Sequence, residues 1–311
     1  MVKGFCGTVW AHDDEVYAFK REDGGPGRDL LNDYNIHKHL LKTAANHMET
    51  SQRLTIPLCH QFINADDRWW AENPDLFPEQ FTPCRTLVSE RIPPLALPVR
   101  EILIDKYCPT HMREKIKSNL SNRDCMVRPY LVKRRRQFNR PSRLAFFTLR
   151  NLPLHLESLQ ELQLDVEGYA IAMAEALAVM HWVAEVDAND VEFVLAGPST
   201  HSKPFDGASA PATSLGEHKI WVLDFDCCRT MSMDDLGIAN AARAFIRNDP
   251  YCPRPSESRE DEQLWRLFRA KYLETSSNIL KEGSRTDLPT LFVQMVEEQQ
   301  AARDAHKRSI E

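Results

Sequence analysis

Residues 185–195 read Glu185-Val-Asp-Ala-Asn-Asp-Val-Glu-Phe-Val-Leu195 and set three acids, Asp187, Asp190 and Glu192, immediately before a short apolar run. Phe193 to Leu195 has the β-branched and aromatic character of a buried strand, so the acids stand where a strand begins. If Glu192 to Leu195 is extended, the two-residue period puts Asp190 and Glu192 on one side, and Asp187 sits on the preceding turn and folds back toward them. Such a cluster can hold a cation, grip a guanidinium or share a proton. An acidic surface turn is the plain alternative, since Asp and Asn form turns for reasons of their own.

Working outward, Leu159 to Trp182 carries Leu162, Val166, Tyr169, Met173, Leu177 and Met180 at three- and four-residue steps, which predicts a helix running straight into the acidic element. Downstream, Lys219-Ile-Trp-Val-Leu-Asp-Phe-Asp226 is a buried-strand pattern ending in two more carboxylates, Asp224 and Asp226. Between them, 197–217 is rich in Pro, Ser, Thr, Ala and Gly, with little to bury, and is expected to be a mobile insertion. Amphipathic segments follow at 235–247, 260–279 and 287–307. At the other end, Val2 to Lys20 reads as a hairpin and a strand carrying Lys20, and Asp29 to Asn46 as a helix. Residues 60–85 read as a long loop with Trp69 and Trp70 as packing anchors, and Leu87 to Ile92 as a strand leading into Pro93-Pro94.

The chain has 311 residues, 42% hydrophobic and 9% aromatic, enough for two lobes with cores of their own. It has no run of 18 apolar residues and no signal-peptide organisation at its start, so a cytoplasmic protein with no membrane partner is expected. Eight cysteines are scattered without a C-x-x-C pair or a compact Cys/His group, which argues against a zinc module and a disulfide framework. Net charge is −6, but Arg113 to Arg150 holds twelve Lys/Arg against Glu114 and Asp124, so that segment is +10 and the remainder −16. Its core, Lys133, Arg134, Arg135, Arg136, Arg140 and Arg143, lies among Tyr130, Phe138, Phe146 and Phe147. That composition suits phosphates and stacked bases, and equally a solvated basic loop.

The order of these parts resembles a protein-kinase-like fold: Gly-containing hairpin, strand lysine, helix, connecting hinge, long helix, acidic loop, Asp-Phe strand end. The resemblance implies an α+β protein of two lobes, a small β-rich lobe at 1–95 and a larger, mainly helical lobe at 96–311. The latter contains the basic segment 113–150, the acidic loop 185–195 and the insertion 197–217. Asp187 then falls at the catalytic-loop aspartate, Glu192 at the metal-binding asparagine and Asp224 at the metal aspartate. Departures are many: Gly4-Phe-Cys-Gly7 is no full glycine-rich loop, Glu185-Val186 replaces His-Arg, and no Glu stands in the helix after Lys20, where Asp33 or Asn35 is nearest. A carboxylate at 192 would also repel nucleotide phosphates.

Three stretches narrow the likeness: Val127-Arg-Pro-Tyr-Leu-Val-Lys-Arg-Arg-Arg136 with Leu149 to Leu154, Met180-His-Trp with the 187–195 motif, and Asn248-Asp-Pro-Tyr-Cys-Pro-Arg-Pro255. Together they resemble a fungal family of uncharacterised-domain proteins labelled zinc-finger-like without zinc ligands. Within it, the chain looks like the arginine-containing cyclodipeptide synthases with their D-x-x-D-x-E motif. The resemblance implies an enzyme that takes arginyl-tRNA and a second aminoacyl-tRNA, with neither DNA nor a metal involved, and makes a cyclic arginine dipeptide. Because an aminoacyl ester is already activated, no ATP or other cofactor is expected.

On that reading Asp187, Asp190 and Glu192 are catalytic. Asp187 would take the proton of the attacking amine, and Asp190 with Glu192 would match the arginine fork; the reverse assignment of the two roles stays open. Lys20, Asp224, Asp226 and Glu185 would bind substrate, and Lys133–Arg136, Arg140 and Arg143 would bind tRNA. Two other readings stay open: a small-molecule kinase using ATP and Mg²⁺, and a non-catalytic binding module.

Overall fold

In the computed structural model, residues 2–4, 7–12, 16–25, 29–44, 47–48, 53–79, 81–132, 147–199, 214–248, 250–281 and 285–309 are described. The chain is mixed α+β, with two five-stranded sheets. The first sheet forms from β1 (Val2–Gly4), β2 (Gly7–Trp10) and β3 (Tyr17–Arg21), with β5 (Cys59–Ile63) and β6 (Thr86–Glu90) completing the order β1-β2-β3-β6-β5. Helix α1 (Leu30–Thr43) packs on β5 and β6 and begins at Asp29, whose carboxylate caps the N–H groups of Leu31 and Asn32. The two-residue strand β4 (Leu54–Thr55) joins the other sheet instead.

Residues 60–85 are less of a loop than their prolines suggest: they supply most of β5 and the short helix α2 (Trp69–Glu72). Trp69 and Trp70 do act as packing anchors, against a cluster of Phe19, Ile63, Phe77 and Val88. Arg21, 2% exposed, lies with its guanidinium over the Trp70, Phe77 and Phe81 rings, at 4.8 to 5.5 Å from their centroids. That cation stacks on aromatic faces, which offsets part of its lost hydration.

Helices α3 (Leu97–Tyr107) and α4 (Arg113–Ser118) lead to β7 (Val127–Tyr130). There follow β8 (Leu152–His155), α5 (Leu156–Glu161), α6 (Val166–Trp182), β9 (Glu192–Ala196) and β10 (Lys219–Leu223). The second sheet has the order β4-β10-β9-β7-β8. The chain closes with α7 (Asp235–Asn248), α8 (Arg259–Ile279) and α9 (Leu288–Arg308), close to the three amphipathic segments expected there.

The single helix expected over 159–182 is two. Gln163 takes φ 54°, which ends α5, and Asp165 then caps α6 by accepting from the Gly168 N–H at 2.9 Å. Gly168 is required by contact: a β-carbon there would run into the guanidinium of Arg53 and the carboxylate of Asp165, which form an ion pair at 2.6 Å. Helix α6 alternates alanines at 170, 172, 174, 176 and 178, a composition with high helix propensity and small cross-section. It is therefore buried on nearly every side, and the core forms around it. Deleting one of its large side chains, Met173 or Met180, costs about 2 to 5 kcal/mol.

Candidate active site

The end of α6 determines where the acidic loop goes. Trp182 Nε1 donates to Ser276 Oγ at 2.7 Å and His181 Nδ1 meets Tyr272 OH at 2.9 Å, so the last turn of α6 is clamped to α8. Burial holds the His181 imidazole down to about 3, neutral at ordinary pH. The chain then turns back through Glu185, at φ 54°, and Val186 N donates to Met180 O at 2.9 Å.

From there the loop is knitted to the segment after β10. Asp187 N donates to Arg229 O at 3.0 Å, and Asp187 Oδ1 accepts from the N–H groups of Arg229 and Asn189 at 2.8 and 3.1 Å. Asn189 Nδ2 reaches Cys227 O at 3.1 Å, and Met231 N reaches Glu185 O at 2.6 Å. Burial raises the Asp187 carboxyl, and its backbone bonds work in the opposite sense.

Four non-glycine residues here lie in the left-handed region: Glu185, Ala188 (φ 52°), Asp190 (φ 63°) and Asp224 (φ 68°). Each costs of order 1 to 3 kcal/mol that the surrounding hydrogen bonds must offset, a concentration of strain typical of functional loops. It also corrects the register expected for the acids. Asp190 is on a left-handed turn and does not share a strand period with Glu192.

Glu192 opens β9 and is paired in register with Leu223, the last residue of β10, so Asp224 emerges at the same end of that hairpin. Lys20 of β3 reaches Asp224 from the other sheet: its Nζ lies 2.5 Å from Asp33 Oδ2 and 2.7 Å from Asp224 Oδ1. Burial works against the Lys20 charge, but the two carboxylates more than offset it and raise its pKa well above the ordinary value. Asp33 is the acid that the helix after Lys20 lacks as a Glu. Its Oδ1 also accepts from Phe225 N at 3.2 Å, and Asn32 Nδ2 donates to Asp226 O and Cys228 O at 2.9 Å. Helix α1 therefore holds both Lys20 and the 224–228 turn.

Arg128 is the site residue the sequence reading missed. It lies on β7, and its Nη2 is 2.5 Å from Glu192 Oε2. Glu192 is thus occupied by a guanidinium of this chain, which corrects its assignment to the substrate's. Burial is the largest influence on Glu192 and pushes it up; Arg128 and Lys20 pull it down, and Asp224 and Asp190 push it up, leaving it at about 7. The signal available in the sequence was the alternation of Val127-Arg-Pro-Tyr130, which puts Arg128 and Tyr130 on one strand face.

The remaining candidates divide. Asp190 and Asp224 face Glu192 closely enough to act on its charge. Of the other two residues expected to bind substrate, Asp226 is buried, at 3% exposure, and Glu185 is exposed. Lys133, Arg134, Arg135, Arg136, Arg140 and Arg143 lie outside the described residues, as does most of the 197–217 insertion. Ser89, Thr148 and Cys228 are tied to Glu90 O, Asn122 Oδ1 and Asn189 O, and burial raises the Cys228 thiol well above the thiol range.

Residues 220–284 match the family model of a domain family numbered DUF3669 and described as "Zinc finger protein". The matched stretch is well under half of the chain. No curated protein and no solved structure matches, so the mixed α+β class is shown and the expected two-lobed kinase-like fold is not confirmed. The expected membership in the arginine-containing cyclodipeptide synthases is overturned here: the family found is the one just described, and nothing in the comparisons points to those synthases. Zinc does not suit the matched stretch either. It contains Cys227, Cys228 and Cys252 but no histidine, and Cys228 and Cys252 are buried in the core. Among the described residues no group of three or more His, Cys, Asp or Glu could hold a metal ion, and no helix is long and apolar enough to cross a membrane.

Proposed function

We propose that this chain is an aminoacyl-transfer enzyme that condenses arginine with a second amino acid, both delivered on tRNA, and closes the product to a diketopiperazine. Its support is the chemistry of the side chains gathered around Glu192 and the basic composition of 113–150. The observation that carries it is Glu192, a carboxyl held near pH 7 among Asp190, Asp224, Lys20 and Arg128. An α-ammonium has a pKa of about 7.7 to 8.0, so a carboxylate of similar proton affinity can take its proton as attack begins.

In the first transfer the amine of one aminoacyl-tRNA attacks the ester carbonyl of the other. The C–N bond forms, Glu192 accepts the proton, and the ester C–O bond breaks with the tRNA ribose oxygen leaving and taking up a proton. In the second, the free amine of the dipeptidyl-tRNA attacks its own ester and the ring closes by the same balance. Both donors are activated esters, so no nucleotide or metal cofactor enters. With Glu192 held by Arg128, the substrate's guanidinium falls to Asp190, and Asp187 holds the loop that carries both. The basic segment 113–150 supplies phosphate contacts for the tRNAs, and the reaction needs neither DNA nor a membrane.

A kinase reading is favoured by one observation, the bonding of Lys20 to an acid of α1 and to Asp224. Against it, the connection after β6 passes through Pro93 and Pro94, which lack N–H donors for a purine edge, and the Pro93 carbonyl is taken by Gly197 N at 2.8 Å. The test is mass spectrometry of a reaction with arginine, mixed amino acids, total tRNA and synthetases. A cyclic arginine dipeptide that disappears when RNase is added from the start supports the proposal, and product that persists ends it. Stabilisation by ATP with Mg²⁺ and no cyclic product would favour the kinase.

A further inference from the structure

The Arg128–Glu192 pair is incomplete. Guanidinium–carboxylate pairs reach full strength when two parallel N–H groups meet two oxygens, and the Nε and Nη2 hydrogens of arginine lie on one edge suited to that. Here Nη2 reaches Glu192 Oε2 at 2.5 Å, while Nε is buried and has no hydrogen-bond partner among the described residues. A buried donor left open beside a carboxylate is costly unless something else accepts from it. The obvious alternative donor, Lys20, is pinned between Asp33 and Asp224.

We infer that Arg128 is a catalytic residue whose open Nε–H edge receives the ester carbonyl oxygen of an aminoacyl substrate, next to the carboxylate that takes the amine proton. This rests on the aminoacyl-transfer reading above. As the amine nitrogen bonds to the carbonyl carbon, the π electrons move onto that oxygen and Arg128 balances the charge. Glu192, on the same guanidinium, receives the proton, and collapse restores the carbonyl and expels the ribose oxygen. Donor and base are thereby held in one fixed contact, so neither has to reorganise during the step.

Two small probes separate the carbonyl from the rest of the substrate. L-arginine methyl ester has the guanidinium, the amine and an ester carbonyl; agmatine lacks the ester. By calorimetry the unaltered protein is expected to bind the ester about tenfold or more tightly than agmatine, the scale of one hydrogen bond to a charged donor. Arg128→Met should bind the two alike while still binding agmatine, and Arg128→Lys should recover part of the preference. Thermal melts of both variants report whether the fold is kept; if Arg128→Met unfolds, Arg128→Lys alone decides, by a reduced or an unchanged preference. Retention of the full preference in a folded variant, equal binding of both probes by the unaltered protein, or binding of neither overturns the inference. If the preference depends on Arg128 but charged tRNAs yield no cyclic dipeptide, the carbonyl contact stands and the aminoacyl-transfer reading falls.

Discussion

Lys20 and Asp224 are 204 positions apart in the chain and meet at 2.7 Å, joining the first sheet to the turn after β10. Asp33 shares the same ammonium at 2.5 Å, so one cation is bound by two acids from two different elements. The side chains are 16%, 3% and 21% exposed for Lys20, Asp33 and Asp224, and in such surroundings removing one partner leaves the others uncompensated.

Lys20→Met is therefore expected to destabilise the protein by about 3 kcal/mol or more, because two carboxylates lose their counter-charge. Adding Asp33→Asn and Asp224→Asn to it should recover much of the loss. Urea denaturation of the single and triple variants checks this; a triple variant no more stable than Lys20→Met would mean that charge is not the cause.

Glu192 titrates at about 7, above the ordinary glutamate value of 4.5, and acts as a base only when ionised. On the proposed aminoacyl-transfer reading, the transfer rate should accordingly rise with pH through about 7 and level off above it. Glu192→Gln should lose about 10²- to 10⁴-fold in rate together with that acid limb. The stability contribution of Glu192 runs the other way. The folded protein holds its proton between about 4.5 and 7 and the unfolded chain does not, so stability from this group falls as pH rises through that window. Rate measurements at saturating substrate across pH 5–9 test the first statement, and an acid limb unchanged in Glu192→Gln contradicts it.

Asp187 Oδ1 accepts two backbone N–H groups, a task an amide oxygen also performs. Asp187→Asn is expected to stay within about 1 kcal/mol of the parent, whereas Asp187→Ala leaves two donors open and should cost about 2 kcal/mol or more. Equal losses in chemical denaturation would show that the bonds do not hold the loop.

His181 is held neutral to about 3, against an ordinary value of 6.5. Below about 6.5 the unfolded chain takes up a proton that the folded protein refuses. The contribution is complete above that pH and lost as pH falls, by about 1.4 kcal/mol per unit toward pH 3. His181→Asn can keep a hydrogen bond to Tyr272 and should flatten stability between pH 4 and 6.5. A slope equal to the parent's would assign the acid sensitivity to other groups.

Some of this was legible from local patterns because the physics is local. The Ala-rich helix, the Glu192–Ala196 strand and the acids before it follow from propensity and periodicity, and Lys20 and Asp224 were picked out by position at strand ends. The break between α5 and α6 was hidden because Leu162 and Val166 continue the four-residue apolar spacing while Gln163 turns left-handed. Asp190 escaped for a similar reason: its φ depends on how 185–191 is tied to 224–231, and no two-residue period reveals that.

The α+β class and the concentration of acids at 187, 190 and 192 are properties of the sequence alone, since each depends on residues a few positions apart. Which acids are free to act was decided by the tertiary structure. Arg128 reaches Glu192 from 64 positions away, Lys20 and Asp33 reach Asp224 from the other sheet, and Asp226 is turned inward. Charge–charge energies fall with distance in space and not along the chain, so partners and proton affinities at this site exist only once the two sheets and α1 are brought together.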